Sequence, residues 1–273
     1  MSLRRLQAFT QSLSIAGTRM EISGLRRDGA GDPLVFLHGF GSTKEDYADV
    51  VHEEDLSRYP VLAYDAPGCG ASTCSNLAAV SVPFLVSVAA ELLRAQQMSR
   101  YHLIGHSMGG LTALLLADAQ PSNVASFVDI EGNLAPEDCF LSRQVVSHLH
   151  ADPYTFLAEF AERVGGSRYY ASTLYAAFLR HKVRADVVKP IFESMVELSD
   201  NGGLLQRFLA LRAPKMFMYG EQNNTLSYLA QLGQGGVELA EIPASAHFPM
   251  YSNPPEMWRR IVEFHAKAQP TTR

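Results

Sequence analysis

Tyr101-His102-Leu103-Ile104-Gly105-His106-Ser107-Met108-Gly109-Gly110 is the stretch on which the reading of this chain turns. A short apolar run, residues 101–104, leads into Gly-x-Ser-x-Gly, and an apolar helical pattern over 111–119 stops before Pro121. Strand, sharp turn and helix in that order hold a Ser107 hydroxyl out from the edge of a sheet. Glycines stand on either side, where side chains would collide with neighbouring backbone. The first turn of a helix carries amide N–H groups without intrahelical partners, so the Met108 N–H is available to a developing oxyanion. Three fixed positions match by chance in about a tenth of chains of this length at ordinary Gly and Ser frequencies. The strand before the motif and the helix after it give it weight.

Outward from this turn, strand and helix signals alternate. Residues 18–25 read as a strand and 26–32 as the turn after it; 33–37 and 60–64 are short continuous apolar runs, as expected of strands covered on both faces. Ser42 or Thr43 can cap a helix from near Lys44, with Glu45 and Asp46 in its first turn. A helix is expected over about 80–98, strands over 101–105, 124–130, 214–219 and 237–242, and a last helix capped by Ser252 or Asn253 with Pro254 in its first turn. That alternation predicts an α/β fold with a mostly parallel sheet and helices on both faces. Between 134 and 211 the strand signal disappears. Helical periods take over there, with aromatics at Tyr154, Phe156, Phe160, Tyr169, Tyr170, Tyr175, Phe178 and Phe192. The expected organisation is a core of 1–133 and 212–273 carrying a helical insertion, 134–211.

Composition narrows the partners. A net charge of −5 with only scattered basic pairs leaves nothing to neutralise phosphates, so nucleic acid is not an expected partner. No apolar run approaches the ~18 residues a membrane span needs, and polar residues interrupt the first 17, which lack a leader-peptide core. Three cysteines, Cys69, Cys74 and Cys139, are no disulfide framework and suit a reducing cytoplasm; a Cys69–Cys74 bridge would fit only a secreted protein. Oligomeric state is not legible.

A serine nucleophile needs a base. His106 adjoins Ser107, and its side chain is expected to point into the core; His38, in His38-Gly39-Phe40-Gly41, is expected to brace its loop. His247, in Ala246-His247-Phe248-Pro249, follows the last strand, where loops of a parallel sheet gather at the carboxyl edge. His247 is therefore the expected base.

Four segments carry a family likeness: Phe36-Leu37-His38-Gly39-Phe40-Gly41, Ala63-Tyr64-Asp65-Ala66-Pro67-Gly68-Cys69-Gly70, Gly105-His106-Ser107-Met108-Gly109-Gly110 and Ala246-His247-Phe248-Pro249. Together, with the serine first and the histidine last, they resemble the α/β-hydrolase superfamily over nearly the whole chain apart from the insertion. The resemblance implies the α/β-hydrolase fold with an inserted helical cap, and a second oxyanion donor in the Phe40 N–H beside that of Met108.

In one respect the chain departs from the pattern. The resemblance implies an Asp a few residues after strand 215–219, but the stretch reads Gly220-Glu221-Gln222-Asn223-Asn224. Asn223 stands where the acid is sought, and an amide cannot stabilise imidazolium as a carboxylate does. Some members of the superfamily, certain haloalkane dehalogenases among them, carry the acid after the strand equivalent to 124–130. Glu131 resembles that placement and is the preferred acid; Glu221, Asp129 and a degraded triad with no acid at all are its rivals. On this reading Asn223→Ala is mild.

No cofactor or metal is expected. His148-Leu149-His150 lacks a supporting Cys/Asp cluster, and Gly233-Gln234-Gly235-Gly236 precedes a strand where a dinucleotide site needs a helix. The expected partner is a small-molecule substrate: a carboxylic ester with a small or apolar acyl part, cleaved through an acyl-enzyme. A thioesterase, a carbon–carbon bond hydrolase, a perhydrolase-like activity and a low-turnover ligand-binding protein stay open as alternatives.

Overall fold

Ala16 and Gly17 both take positive φ, 48° and 81°, so strand β1 (Gln7–Ile15) folds straight back on β2 (Thr18–Arg27) through a two-residue turn. The structure is a computed structural model that describes residues 5–146, 152–166 and 170–268. The hairpin edges a nine-stranded sheet that also contains β3 (Leu34–Leu37), β4 (Val61–Tyr64), β5 (Thr73–Cys74), β6 (Tyr101–His106), β7 (Val124–Ile130), β8 (Lys215–Gly220) and β9 (Glu238–Ile242). The strand order is β1-β2-β4-β3-β6-β7-β8-β9, with β5 paired to β2. From β4 to β9 every pairing is parallel; β2 runs antiparallel to β1, β4 and β5. Residues 26 and 27, expected in a turn, extend β2 because they pair with Leu62 and Val61.

Period-two alternation on β6 shows that both faces are covered. His102 lies edge-on to His265 of the last helix at 4.4 Å, whereas a side chain on Gly105 would strike Gly109 and Gly110 of the helix that follows Ser107. All residues of β3, β4, β6 and β7 are accordingly buried. The flanking helices are α1 (Val82–Ala95) and α2 (Met108–Ala119) and, after β8, α8 (Leu229–Gln234), α9 (Pro249–Ser252) and α10 (Pro254–Ala268). Helix α1 starts two residues later than expected because the Ser81 hydroxyl accepts the Phe84 N–H.

The helix after Thr43 is 3-10 rather than α, over Lys44–His52. Its buried residues are Lys44, Tyr47 and Val50, three apart, and three residues per turn puts all of them on the core side.

Among the described residues, five α-helices lie between β7 and β8: α3 (Phe140–Val146), α4 (Pro153–Gly165), α5 (Tyr170–Lys182), α6 (Val188–Asn201) and α7 (Leu204–Ala210). His148, His150 and Tyr169 lie outside the described residues. The first four helices surround the carboxyl-edge cavity described below or brace its wall, while α7 rests on the core, with Phe208 against Phe127 of β7 and Arg207 paired to Asp118 of α2.

Candidate active site

Ser107 joins β6 to α2 with φ 52° and ψ −119°, a conformation non-glycine residues rarely adopt. Ladder and helix bonds over-determine it: its N–H donates to the Ile130 carbonyl (2.9 Å) and its carbonyl accepts from Leu111 (2.9 Å). The turn fits only because its flanks lack side chains. A Cβ on Gly105 would meet the Gly109 carbonyl, and one on Gly109 would meet the carbonyls of Leu37 and His38. The second contact also presses the loop after β3 against the start of α2. A Cβ on Gly39 of that loop would come within 3.2 Å of the Ser107 Cβ, so Phe40, the next residue, is held close to the serine that Met108 follows; both are buried.

Glu131 follows β7 with its own positive φ, 50°, and a side chain only 4% exposed. Its Oε1 accepts the Gly220 N–H (2.7 Å) at the end of β8, and its Oε2 accepts both the Asn223 amide (2.7 Å) and His247 Nδ1 (2.7 Å). A carboxylate only accepts, so in the neutral imidazole the proton sits on Nδ1 and Nε2 is the nitrogen left with a lone pair. His247 comes from the loop between β9 and α9 and is half-buried.

Ser107, Glu131, His247 and Phe40 all border one cavity of about 410 Å³. Its wall also includes Phe160 of α4, Tyr175 of α5, Phe192 and Met195 of α6 and Phe217 of β8, together with the polar Asn133, Glu137, Asp138 and Gln222. The residues proposed from the sequence for nucleophile, base, acid and one oxyanion donor are therefore brought together, and Met108 is fixed beside them as the first residue of α2.

The rivals lie elsewhere. Glu221 accepts the Ala244 N–H (2.8 Å) on the exposed side of its loop, and Asp129 is fully buried beneath the turn, its Oδ1 on the Gly132 N–H (2.9 Å). His38 braces its loop: Nε2 accepts the Ala66 N–H (2.9 Å), so Nδ1 donates to the Gly39 carbonyl (2.8 Å). His106 points into the core as expected but does more than pack. Its Nε2 donates to the His247 carbonyl (2.7 Å), fastening the His247 backbone to the strand that leads into Ser107. Burial, with His247 beside it, holds its pKa well below the ordinary value, so the ring stays neutral. That link, and the bond from Asn223 to Glu131, were not read from the sequence. Glycine, serine and histidine types mark the motifs, but nothing in one sequence signals which loops touch.

Among the described residues no group of three or more His, Cys, Asp and Glu is arranged to hold a metal, and no helix is long and apolar enough to cross a membrane. Cys69, Cys74 and Cys139 are free thiols.

Over 119 residues the chain is 34% identical to a pimeloyl-[acyl-carrier protein] methyl ester esterase of Aeromonas hydrophila, covering 44% of this chain and 43% of that one. The chain thus spans less than half the length of that curated relative. Among solved structures it resembles a carboxylesterase of the thaumarchaeon Nitrososphaera gargenis (TM-score 0.77, 19% identity, 94% and 98% of the two chains). It also resembles a thermophilic esterase of Thermogutta terrifontis (TM-score 0.73, 20% identity, 97% and 100%). At these identities the structural likeness establishes the fold. Residues 34–260 match the model of the alpha/beta hydrolase family, and the chain belongs to that family.

Proposed function

We propose that the protein is a serine hydrolase of carboxylic esters whose acyl part is small or apolar. The observation that carries this reading is the 2.7 Å contact of His247 Nδ1 with Glu131, on the wall of the same cavity as Ser107. In this mechanism His247 Nε2 takes the Ser107 proton as the hydroxyl oxygen attacks the carbonyl carbon. The oxyanion of the tetrahedral intermediate is held by the Phe40 and Met108 N–H groups. Collapse expels the alcohol, which takes its proton from His247. Water, deprotonated by the same nitrogen, then attacks the acyl-enzyme; the acid leaves and Ser107 recovers its proton. Glu131 stays ionised throughout and balances the imidazolium.

The aromatic and Met side chains of the cavity wall support an apolar acyl group, and Glu137 and Asp138 on the same wall disfavour an anionic one; helices α3 to α6 of residues 134–211 act as the cap that supplies much of that wall. Three unpaired thiols suit a reducing, cytoplasmic location. The test is turnover of p-nitrophenyl esters from acetate to palmitate, with fluorophosphonate labelling of the protein and of Ser107→Ala. Turnover and labelling in the wild type, both abolished in the variant, are expected; labelling that survives Ser107→Ala, or no turnover of any ester, would sink the reading.

A further inference from the structure

Tyr175 of α5 is buried, and its hydroxyl donates to the Phe40 carbonyl at 3.0 Å, joining the insertion to the loop that follows β3. Its ring stacks on Phe248, the neighbour of His247, with centroids 4.5 Å apart and planes 25° apart. Gly41 turns at φ 76° directly under it, and a Cβ there would come within 2.5 Å of the Tyr175 hydroxyl. One side chain thus touches both the loop of the base and the loop of the oxyanion donor.

The two peptides that flank the Phe40 Cα are each held by a carbonyl. The Gly39 carbonyl shares its peptide plane with the Phe40 N–H, and it accepts from Ser42 N–H (3.1 Å) and His38 Nδ1 (2.8 Å). The Phe40 carbonyl is held by Tyr175. Helix α5 is itself pinned to the core. Lys182 at its end donates to Asp46 Oδ1 (3.1 Å) and to the Tyr251 hydroxyl (3.1 Å), which donates on to Asp46 Oδ2 (2.7 Å). The Lys182 carbonyl accepts the Gly70 N–H (2.8 Å).

We infer that Tyr175 is a positioning residue for the oxyanion hole, so that a hydroxyl of the insertion completes machinery otherwise built by the core. A phenylalanine at 175 would keep the stacking and the contact with Gly41. What only tyrosine supplies is the donor, and without it the buried Phe40 carbonyl is unpaired; the Phe40–Gly41 peptide is then driven to rotate toward another partner, and through the shared Phe40 Cα this pulls on the Gly39–Phe40 peptide that carries the N–H. The inference rests on the reading of Ser107 and Phe40 given under Proposed function.

Tyr175→Phe is the test, read on p-nitrophenyl butyrate and with an aliphatic trifluoromethyl ketone, to which Ser107 adds reversibly to give a tetrahedral oxyanion. Losing an oxyanion donor outright costs on the order of 10²–10³ in rate, so misdirecting one is expected to lower kcat by about tenfold. KM should stay within about twofold, because the interaction strengthens only in the transition state, and ketone affinity should fall in parallel with kcat. Lys182→Met, which loosens α5 without touching the cavity, should move kcat and ketone affinity the same way by a smaller factor, and it carries the test if Tyr175→Phe does not fold. Unchanged kcat, or a raised KM with ketone affinity intact, overturns the inference and leaves Tyr175 as a pocket wall. If the wild type neither labels with fluorophosphonate nor turns over esters, the functional reading fails first; a wild type that labels beside an unimpaired Tyr175→Phe sinks this inference alone.

Discussion

His247 and Glu131 stand 116 residues apart in the chain and 2.7 Å apart in space, Nδ1 to Oε2. Three elements make that contact: the end of β7 sets the Glu131 backbone, the end of β8 holds its other oxygen through Gly220, and the loop after β9 delivers the imidazole. The carboxylate is thus fixed in orientation before any substrate arrives, which is what a partner for a transient imidazolium requires.

Glu131→Gln keeps the shape and removes the charge. An amide NH₂ turned toward His247 favours the tautomer with the proton on Nε2, where the serine's proton must go. The expected result is a kcat loss of about 10³–10⁴ with KM little changed, by the logic of the serine triad. Steady-state kinetics on p-nitrophenyl acetate measure it; a variant within tenfold of wild type would place the acid elsewhere.

Asn223 is more than a lost acid. Its amide donates to the same Oε2 that holds His247. Removing a hydrogen bond to a charged group costs roughly 1.5–3 kcal/mol, about one to two powers of ten, so Asn223→Ala is expected to lower kcat by about 10- to 100-fold, more than the mild effect expected from the sequence and still short of Glu131→Gln. Asn223→Asp instead sets a second carboxylate against Glu131. Added negative charge beside His247 favours imidazolium, so the acid limb of the kcat/KM profile should move to higher pH. A profile superposable on wild type would remove Asn223 from the carboxylate's environment.

The parallel strands were legible because covered strands are continuous apolar runs: 124–130 was read to the residue, and 34–37, 61–64 and 101–106 to within one or two. The edge strand β1 was not, because Gln7-Ala8-Phe9-Thr10-Gln11-Ser12-Leu13-Ser14-Ile15 is mostly exposed and weakly patterned. Its turn, Ala16-Gly17, carries a faint version of the usual hairpin signal. Ser107 and His247 stand out in the sequence by motif and position, and both border the same cavity. The hydrogen bonds of His106 and Tyr175 were not legible, since each goes to a carbonyl remote in sequence, and a carbonyl leaves no mark on residue type.

His102 of β6 and His265 of α10 pack edge-on, with Tyr59 edge-on to His265 at 4.4 Å. Burial lowers both pKa values from 6.5, to about 3 for His102 and about 4 for His265, with each helped by a nearby basic group. The unfolded chain therefore takes up protons that the native state refuses. Their contribution to stability is complete above pH 6.5 and is lost progressively as pH falls toward those native values. Calorimetry should show the melting temperature dropping between pH 7 and pH 4, more steeply in wild type than in His265→Phe. Equal slopes would mean that this cluster does not govern acid unfolding.

Asp129 supplies the opposite slope. It is fully buried beside Gly110 and Gly132, and among the described residues its Oδ2 has no partner. Burial pushes its pKa well above the ordinary value despite the Gly132 N–H on Oδ1, and the carboxylates of Asp138 and Glu131 push the same way. A raised native value means that the folded protein holds a proton the unfolded chain releases near pH 4. The stability this gives is present below that point and is lost as pH rises toward the native value. Asp129→Asn removes the titration while keeping the shape and the acceptor for Gly132. Its urea midpoint should therefore fall less than that of wild type between pH 5 and pH 8. Because Asp129 makes no bond to His247, the variant should also keep near wild-type kcat. An inactive, well-folded Asp129→Asn would return this buried carboxyl to contention as the acid, and an unchanged pH slope would show that it is ionised in the native protein after all.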